Sequence, residues 1–416
     1  MLRLLDADRE PPQTLRPALD PAVEDRVRSI CERVRRDGDA ALVALTRELD
    51  GADVDDLAIP AEEVDGAEVP APLAEAIDRM AARLRELHGH QLPLEWQETA
   101  DGVTYGEVVR PLASVGCYVP GGRASYPSTV LMTAVPAGVA GVGRVALCTP
   151  PDADGSVPAA VLRAAKAAGV EEVYRIGGAQ AIAALAYGTE SIPPVDKIVG
   201  PGNAWVTAAK RQVSGVVGID ALAGPTELVV VAGAVADPVM LASDLVAQSE
   251  HDPAARTTLI CLDASLPEKV QRALETEVER SPRRDIVDPA LAGSAAYVVD
   301  SEKQAARLID RLAPEHLQVV TDRPREFLRL VRSFGAAFLG PFTPVPFGDY
   351  GVGSNHVLPT MSTARFSSGL RASDFVTMSS VVEATAEAAG TFGPDVELLA
   401  EAEGLPGHAR ASEVRR

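Results

Sequence analysis

Between Ser114 and Val231, short β-branched runs alternate with alanine-rich stretches of helical period, and no other feature of the sequence restricts the fold as strongly. SVGCYV, RVALCT, EEVYRI and DKIVG are expected as strands, and PSTVLMTAV, AAVLRAAKAA, AQAIAALAY and AWVTAAKRQV as the helices between them. That is the pattern of a doubly wound α/β domain. After Gly224 the alternation restarts, with TELVVVA, TTLICL, AAYVVD, HLQVV and AAFLG as strands and helices near Pro238 to Asp252, Pro267 to Arg280, Ser301 to Leu312 and Pro324 to Phe334. The expected fold class is therefore α/β, with two Rossmann-like doubly wound domains of similar plan, helical N-terminal additions and a small C-terminal dimerisation segment.

The additions are charged helices, Pro21 to Leu49 and Leu73 to His88, expected to pack on the second sheet. At the other end, Ser373 to Gly390 is expected as a helix, followed by a polar segment through Arg416. So small a piece has little core of its own and must pack on its own body or on a partner's, which favours an oligomer.

Composition bounds the partners. With 46% hydrophobic and 24% charged residues, the 416-residue chain has the balance of a globular protein. A formal charge of −20 with scattered Lys and Arg excludes a broad nucleic-acid surface and favours a small-molecule substrate. The start, MLRLLDADREPPQ, lacks the pattern of a secretory signal. The apolar stretch from Val130 to Cys148 is broken by Pro136, glycines and Arg144, so no membrane span is expected. A cytoplasmic protein is the expectation. Cys31, Cys117, Cys148 and Cys261 stand far apart with no CxxC pair, and are expected as small buried hydrophobes.

Three polar constellations interrupt this background. In AQSEHDPAAR a helix that opens at Asp237 and Pro238 should end before Pro253. Leu241, Leu245, Gln248 and His251 or Asp252 share one face, so a core-facing stripe turns polar in its last turn. Spacing alone fits a bound ion and equally a C-terminal cap in which the histidine satisfies helix carbonyls. In GDYGVGSNHVLPT, Asp349 and His356 flank Gly351 and Gly353, an acid and an imidazole suited to zinc or manganese. In APEHLQVV, Glu315 and His316 sit at a strand mouth, where an irregular turn can present both to one cleft; imidazole is the natural base near neutral pH. Of the six histidines, His88 and His90 in HGHQ are expected at a solvated helix end.

The loops YVPGGRASYPST, RIGGAQA and VGPGNAW each follow a strand and open a helix, the position at which backbone N–H groups hold phosphate. No G-x-G-x-x-G and no P-loop occurs.

Taken in order, YVPGGRASYPSTVLMTAVPA, GGAQAIAALAYGT, DKIVGPGN, AGPTE, QSEHD, APEHL, GDYGVGSNHVLPT and EGLPGH resemble the histidinol dehydrogenase family over nearly the whole chain. The resemblance implies oxidation of L-histidinol through L-histidinal to L-histidine, the last step of histidine biosynthesis, with two NAD in succession and one zinc per subunit. It implies zinc ligation by Gln248, His251 and Asp349 of one subunit and His408 of the other, in a homodimer with shared active sites. His316 would be the base for the alcohol and Glu315 the residue that activates water. Thr226, Gln248, His251, His316, Asp349, Glu403 and His408 would contact substrate, and Tyr118, Gln180 and Asn203 would contact NAD. The implied organisation is an arm over 1–14, a first α/β domain from 15–117 and 227–370 with the zinc and catalytic residues, an NAD-binding domain over 118–226 and a swapped segment over 371–416. Two departures stand out: Thr226 replaces the family's usual Ser, and GLPG between Glu403 and His408 includes an unusual Pro-Gly pair.

A zinc hydrolase would also use a metal and a Glu base, but would need neither two α/β domains nor three glycine-rich turns. A non-catalytic dinucleotide-binding protein would leave the Glu-His pair and His408 without a task.

Overall fold

The structure is a computed structural model describing residues 2–14, 20–122 and 125–416. The expected domain boundary at residue 15, and Arg123 and Ala124 of the first glycine-rich loop, lie outside the described residues. In chain order the strands are β1 (Arg3–Leu5), β2 (Trp96–Ala100), β3 (Val103–Pro111), β4 (Ser114–Tyr118), β5 (Arg144–Thr149), β6 (Glu172–Arg175), β7 (Lys197–Val199), β8 (Gly218–Ile219), β9 (Glu227–Ala232), β10 (Arg256–Cys261), β11 (Ala295–Val298), β12 (His316–Val320), β13 (Ala336–Leu339) and β14 (Val376–Ala384).

Every strand expected in the two α/β halves is present. The first sheet runs β6-β5-β4-β7-β8 and the second β1-β11-β10-β9-β12-β13, all parallel. Leaving aside the edge strand β1, both have the order 3-2-1-4-5, so the halves share one topology, that of a mononucleotide-binding unit. Each sheet is buried on both faces, which is why its strands are near-continuous apolar runs such as ELVVVA.

The expectation that the N-terminal helices cover the second sheet is corrected. Helix Pro21–Leu45 lays Val27, Ile30, Cys31, Val34 and Leu42 against the alanine-rich helix Gly178–Tyr187 on one face of the first sheet. Helix Ala71–Gly89 packs Ile77, Met80 and Leu84 against Pro127–Ala140 and Ala159–Ala168 on its other face. The alanines of those receiving helices leave room for the long helices to approach closely. The first of these helices breaks at Gly38 (φ 56°, ψ −135°), where a Cβ would strike the Glu190 carboxylate that accepts the Asp39 N–H.

The C-terminal expectation is also corrected. VTMSSVVEA is a strand, β14, paired antiparallel with β3 of a three-stranded sheet, and the helix begins only after Thr385, which caps Ala386–Ala402. Its β-branched residues suit a pleated edge, and a register of nine paired residues outweighs the helical bias of the flanking alanines. Helices Ala386–Ala402 and Pro406–Glu413 pack on each other and leave Leu398 and Leu399 each 66% exposed. Among the described residues no helix is long and apolar enough to cross a membrane. All four cysteines are buried and free, as expected.

Candidate active site

The candidate residues lie at opposite edges of the two sheets. Tyr118 ends β4, while Glu227 and His316 open β9 and β12, so the Glu-His pair lies at the amino ends of the second sheet's strands. The sequence delivers it there through helix Glu302–Leu312, which ends on Ala313 in the left-handed region (φ 45°); Pro314 follows, and Glu315 then stands beside the mouth of β9. A Cβ on Gly335 would lie 2.5 Å from the Glu315 carbonyl, which is why glycine stands just before the facing strand β13.

Around this pair the structure assembles a connected set. Thr226 Oγ1 donates to Glu315 Oε2 at 2.5 Å, and the Glu227 N–H donates to the same oxygen at 2.9 Å. Gln248 Nε2 donates to Thr226 Oγ1 at 2.5 Å. His316 Nδ1 faces the Glu227 carbonyl at 3.1 Å and Glu315 Oε2 at 3.4 Å, and its Nε2 is 3.9 Å from Asp349 Oδ1. Donation from Nδ1 to a backbone carbonyl leaves Nε2 as the atom that can take a proton. The spacing paired only Glu315 with His316, and the family resemblance added Thr226, Gln248 and Asp349; the structure brings all five together.

Electrostatics sets the protonation states. Burial pushes the Glu315 carboxyl up, but His316, the Thr226 hydroxyl and the Glu227 N–H outweigh it and hold the group below the ordinary carboxylate value. Burial pulls the His316 imidazole down, and the Glu315 and Asp349 carboxylates reverse this, raising it to about 9. Glu227, which sequence reasoning missed, is buried beside Glu315 and accepts the Met361 N–H at 2.9 Å; burial first, then the Glu315 charge, push it up to about 7. Its signal was an acid opening an otherwise wholly apolar buried strand.

Asp237 caps helix Pro238–Ser249 as expected, but the helix stops at Ser249, and His251 lies exposed beyond it. Because Gln248 uses its amide nitrogen on Thr226, its carbonyl oxygen is left for another partner. Gln248 is joined through Thr226 and Glu315 to His316, which faces Asp349, whereas exposed His251 makes no hydrogen bond or ion pair with this set. No group of three or more His, Cys, Asp or Glu within the chain could hold a metal among the described residues. Glu403 and His408 are exposed on the C-terminal segment, outside this set.

His356 is not placed as a metal ligand. Its Nε2 faces Thr129 Oγ1 and its Nδ1 the Asp349 carbonyl, both at 3.1 Å. The expectation of a solvated helix end fails for His88, which is fully buried between Gln91 (2.7 Å) and Asn355 (3.2 Å); His90 is exposed. Asn355 also donates to the Met132 carbonyl at 2.7 Å, and Arg83 to the Gly351 carbonyl at 3.0 Å. The loop that bears Asp349 leaves the second sheet but is tied to helices of the first.

The three glycine-rich turns converge on the carboxyl edge of the first sheet. Tyr118 is buried, and its hydroxyl accepts the Gly178 N–H at 3.0 Å. Gln180 is fully buried; its Nε2 donates to Asp50 at 3.2 Å, while its Oε1 has no partner, an acceptor waiting for a donor. Asp50 is raised to about 6 by burial, partly offset by that bond. Asn203 is exposed and caps helix Ala204–Val213 through the N–H groups of Trp205 and Val206. A cavity of about 180 Å³ bounded by Gly121, Gly122, Ser125, Thr149 and Asp152 adjoins the first turn. Helix openings, backbone N–H groups and an orphan acceptor fit a dinucleotide.

The chain is similar to known proteins of one family. The family described as histidinol dehydrogenase matches residues 15–416. The histidinol dehydrogenase of Moorella thermoacetica is 48% identical over 399 residues, 94% of this chain and 94% of that one. That of Halalkalibacterium halodurans is 44% identical over 396 residues, 94% of this chain and 93% of the other. The crystal structure of the Elizabethkingia anophelis histidinol dehydrogenase superposes with a TM-score of 0.93 at 35% identity, covering 97% of this chain and 94% of that one.

Proposed function

Since the chain belongs to the histidinol dehydrogenase family, we propose that it oxidises L-histidinol to L-histidine in two hydride transfers to NAD, in a zinc-dependent site shared by two subunits, as the last step of histidine biosynthesis. The single observation that supports this most is the connected set Gln248, Thr226, Glu315, His316 and Asp349.

In the first half-reaction His316 Nε2 takes the hydroxyl proton as the carbinol carbon gives up its hydride. A cation held by Asp349 would occupy one of the two carboxylates that keep His316 charged, and so would favour the neutral base. In the second, Glu315 takes a proton from the water that adds to the aldehyde, and the hydrate gives up the second hydride. Thr226 holds Glu315 on one side and Gln248 on the other, so base and ligand keep one geometry. Zinc would be held by Gln248, His251, Asp349 and His408 of the partner subunit, and when bound it supplies orientation of the substrate's imidazole and amino group. NAD supplies the hydride acceptor, held by Tyr118, Gln180 and Asn203. Glu403 of the partner subunit would contact substrate.

The division proposed keeps the catalytic residues on 227–370, the cofactor residues on 118–226 and an exchanged segment on 371–416; helices Pro21–Leu45 and Ala71–Gly89, expected with the catalytic residues, pack on the first sheet and so go with the cofactor residues. The exposed leucines of the last helices support a partner's cover for that segment. A cytoplasmic setting accords with a small-molecule pathway.

Purified protein mixed with L-histidinol and NAD tests the reading. About two NADH per histidinol, lost on chelation and restored by zinc, is the expected result; no NADH under any metal condition would overturn it.

A further inference from the structure

The first sheet holds a buried ion pair that the proposed reaction does not use. Lys210 and Asp220 have side chains 3% and 6% exposed, and Lys210 Nζ donates to Asp220 Oδ1 at 2.5 Å. Such a pair is a poor way to stabilise a fold, because desolvating two charges cancels most of their attraction and apolar replacements are often as stable. What this pair does that apolar side chains could not is hold backbone. Lys210 Nζ also donates to the Gly200 carbonyl at 2.6 Å, and Asp220 Oδ2 accepts the Gly200 N–H at 2.7 Å. Both polar groups of one glycine are thus gripped by opposite charges.

Gly200 opens the turn GPGN, which leads to Asn203 and helix Ala204–Val213. It lies in a conformation only glycine adopts readily (φ 116°), and a Cβ there would stand 2.1 Å from the Tyr118 carbonyl. Tyr118 in turn takes the Gly178 N–H on its hydroxyl, reaching the turn that bears Gln180. The three turns therefore form one hydrogen-bonded and close-packed series with Gly200 in its centre, at the point between β4 and β7 where the strand order reverses. On the other side Thr207 Oγ1 donates to the Ala223 carbonyl at 2.8 Å, three residues before Thr226.

We propose that Lys210 and Asp220 are positioning residues for the dinucleotide: their grip on Gly200 sets the relative placement of Tyr118, Gln180 and Asn203, and so the affinity for NAD. This rests on the reading of the three turns as the cofactor subsite.

The test uses the full-length protein in two doubly neutralised forms, Lys210→Met with Asp220→Leu and Lys210→Met with Asp220→Asn, so that no lone buried charge remains. NAD affinity is measured by titration of the free protein, alongside the KM for histidinol and the thermal midpoint. The Leu form should bind NAD roughly tenfold more weakly, since it loses both bonds to Gly200. The Asn form should recover part of that loss because its side-chain oxygen still accepts the Gly200 N–H, with KM for histidinol unchanged in both. NAD affinity within twofold of wild type in a folded Leu form would overturn the proposal. Equal weakening for NAD and histidinol would also overturn it, as general loosening of the fold. A wild-type protein without affinity for NAD would sink the cofactor reading itself, and the proposal with it.

Discussion

Thr226 and Glu315, 89 residues apart in sequence, meet at 2.5 Å through a hydroxyl that also accepts the Gln248 amide. One oxygen thereby links the residue assigned to water activation and a residue assigned to the metal. Thr226→Ser keeps that oxygen and should retain activity within about threefold, whereas Thr226→Val takes one donor from Glu315, leaves the Gln248 amide without its acceptor, and should lower kcat/KM by roughly ten- to hundredfold. Steady-state kinetics of the two variants checks this; equal activity in the Val form would remove Thr226 from the site.

Glu315→Gln should separate the half-reactions. The variant keeps a side-chain oxygen for Thr226 but cannot accept a proton from water, so aldehyde oxidation should fall by about 10² to 10⁴-fold while alcohol oxidation falls less. Single-turnover NADH formation from histidinol and from histidinal reports each step; equal losses in both would contradict the assignment.

Glu227 gives a pH dependence of stability. Its carboxyl is raised from 4.5 to about 7 in the folded protein. Between those values the unfolded chain has lost this proton and the folded one has kept it. Stability from this group is therefore present in full below pH 4.5 and lost as pH rises towards 7, by up to about 3 kcal/mol. Urea midpoints at pH 5 and pH 7.5 should differ more for wild type than for Glu227→Gln; the same difference in both would contradict the shift.

If His408 completes the partner's site, two inactive variants should repair each other. Mixed dimers of His408→Ala and Glu315→Gln contain one site with both residues intact, so co-refolded subunits should regain a measurable fraction of wild-type activity. Activity no higher than that of the parent variants would place each site within one chain.

Much of this was legible before any coordinates. The strands of both halves were, because a buried parallel strand must be a run such as ELVVVA and the crossover helices have their own period. The Glu-His pair was legible as chemistry and its partners only through the resemblance: Thr226, Gln248 and Asp349 come from three separate segments, and only tertiary structure states their distances and hydrogen bonds. β14 was misjudged because its register with β3 is a long-range pairing, and alanine-rich flanks favour helix locally. His88 was misjudged because burial at a helix end depends on what covers it, here Asn355 from 267 residues away. Lys210 left a trace, since it falls on the buried stripe with Val206 and Val213 at helical spacing.

The anchoring of the Asp349 loop bears on how such a chain can be inherited. Arg83, Thr129 and the Met132 carbonyl lie in the half that contains the first sheet, while the loop they hold belongs to the other. A recombination that replaced one half and kept the other would preserve both folds yet separate a ligand from its supports. The two halves look like interchangeable units, but their shared loop makes them a single unit of descent.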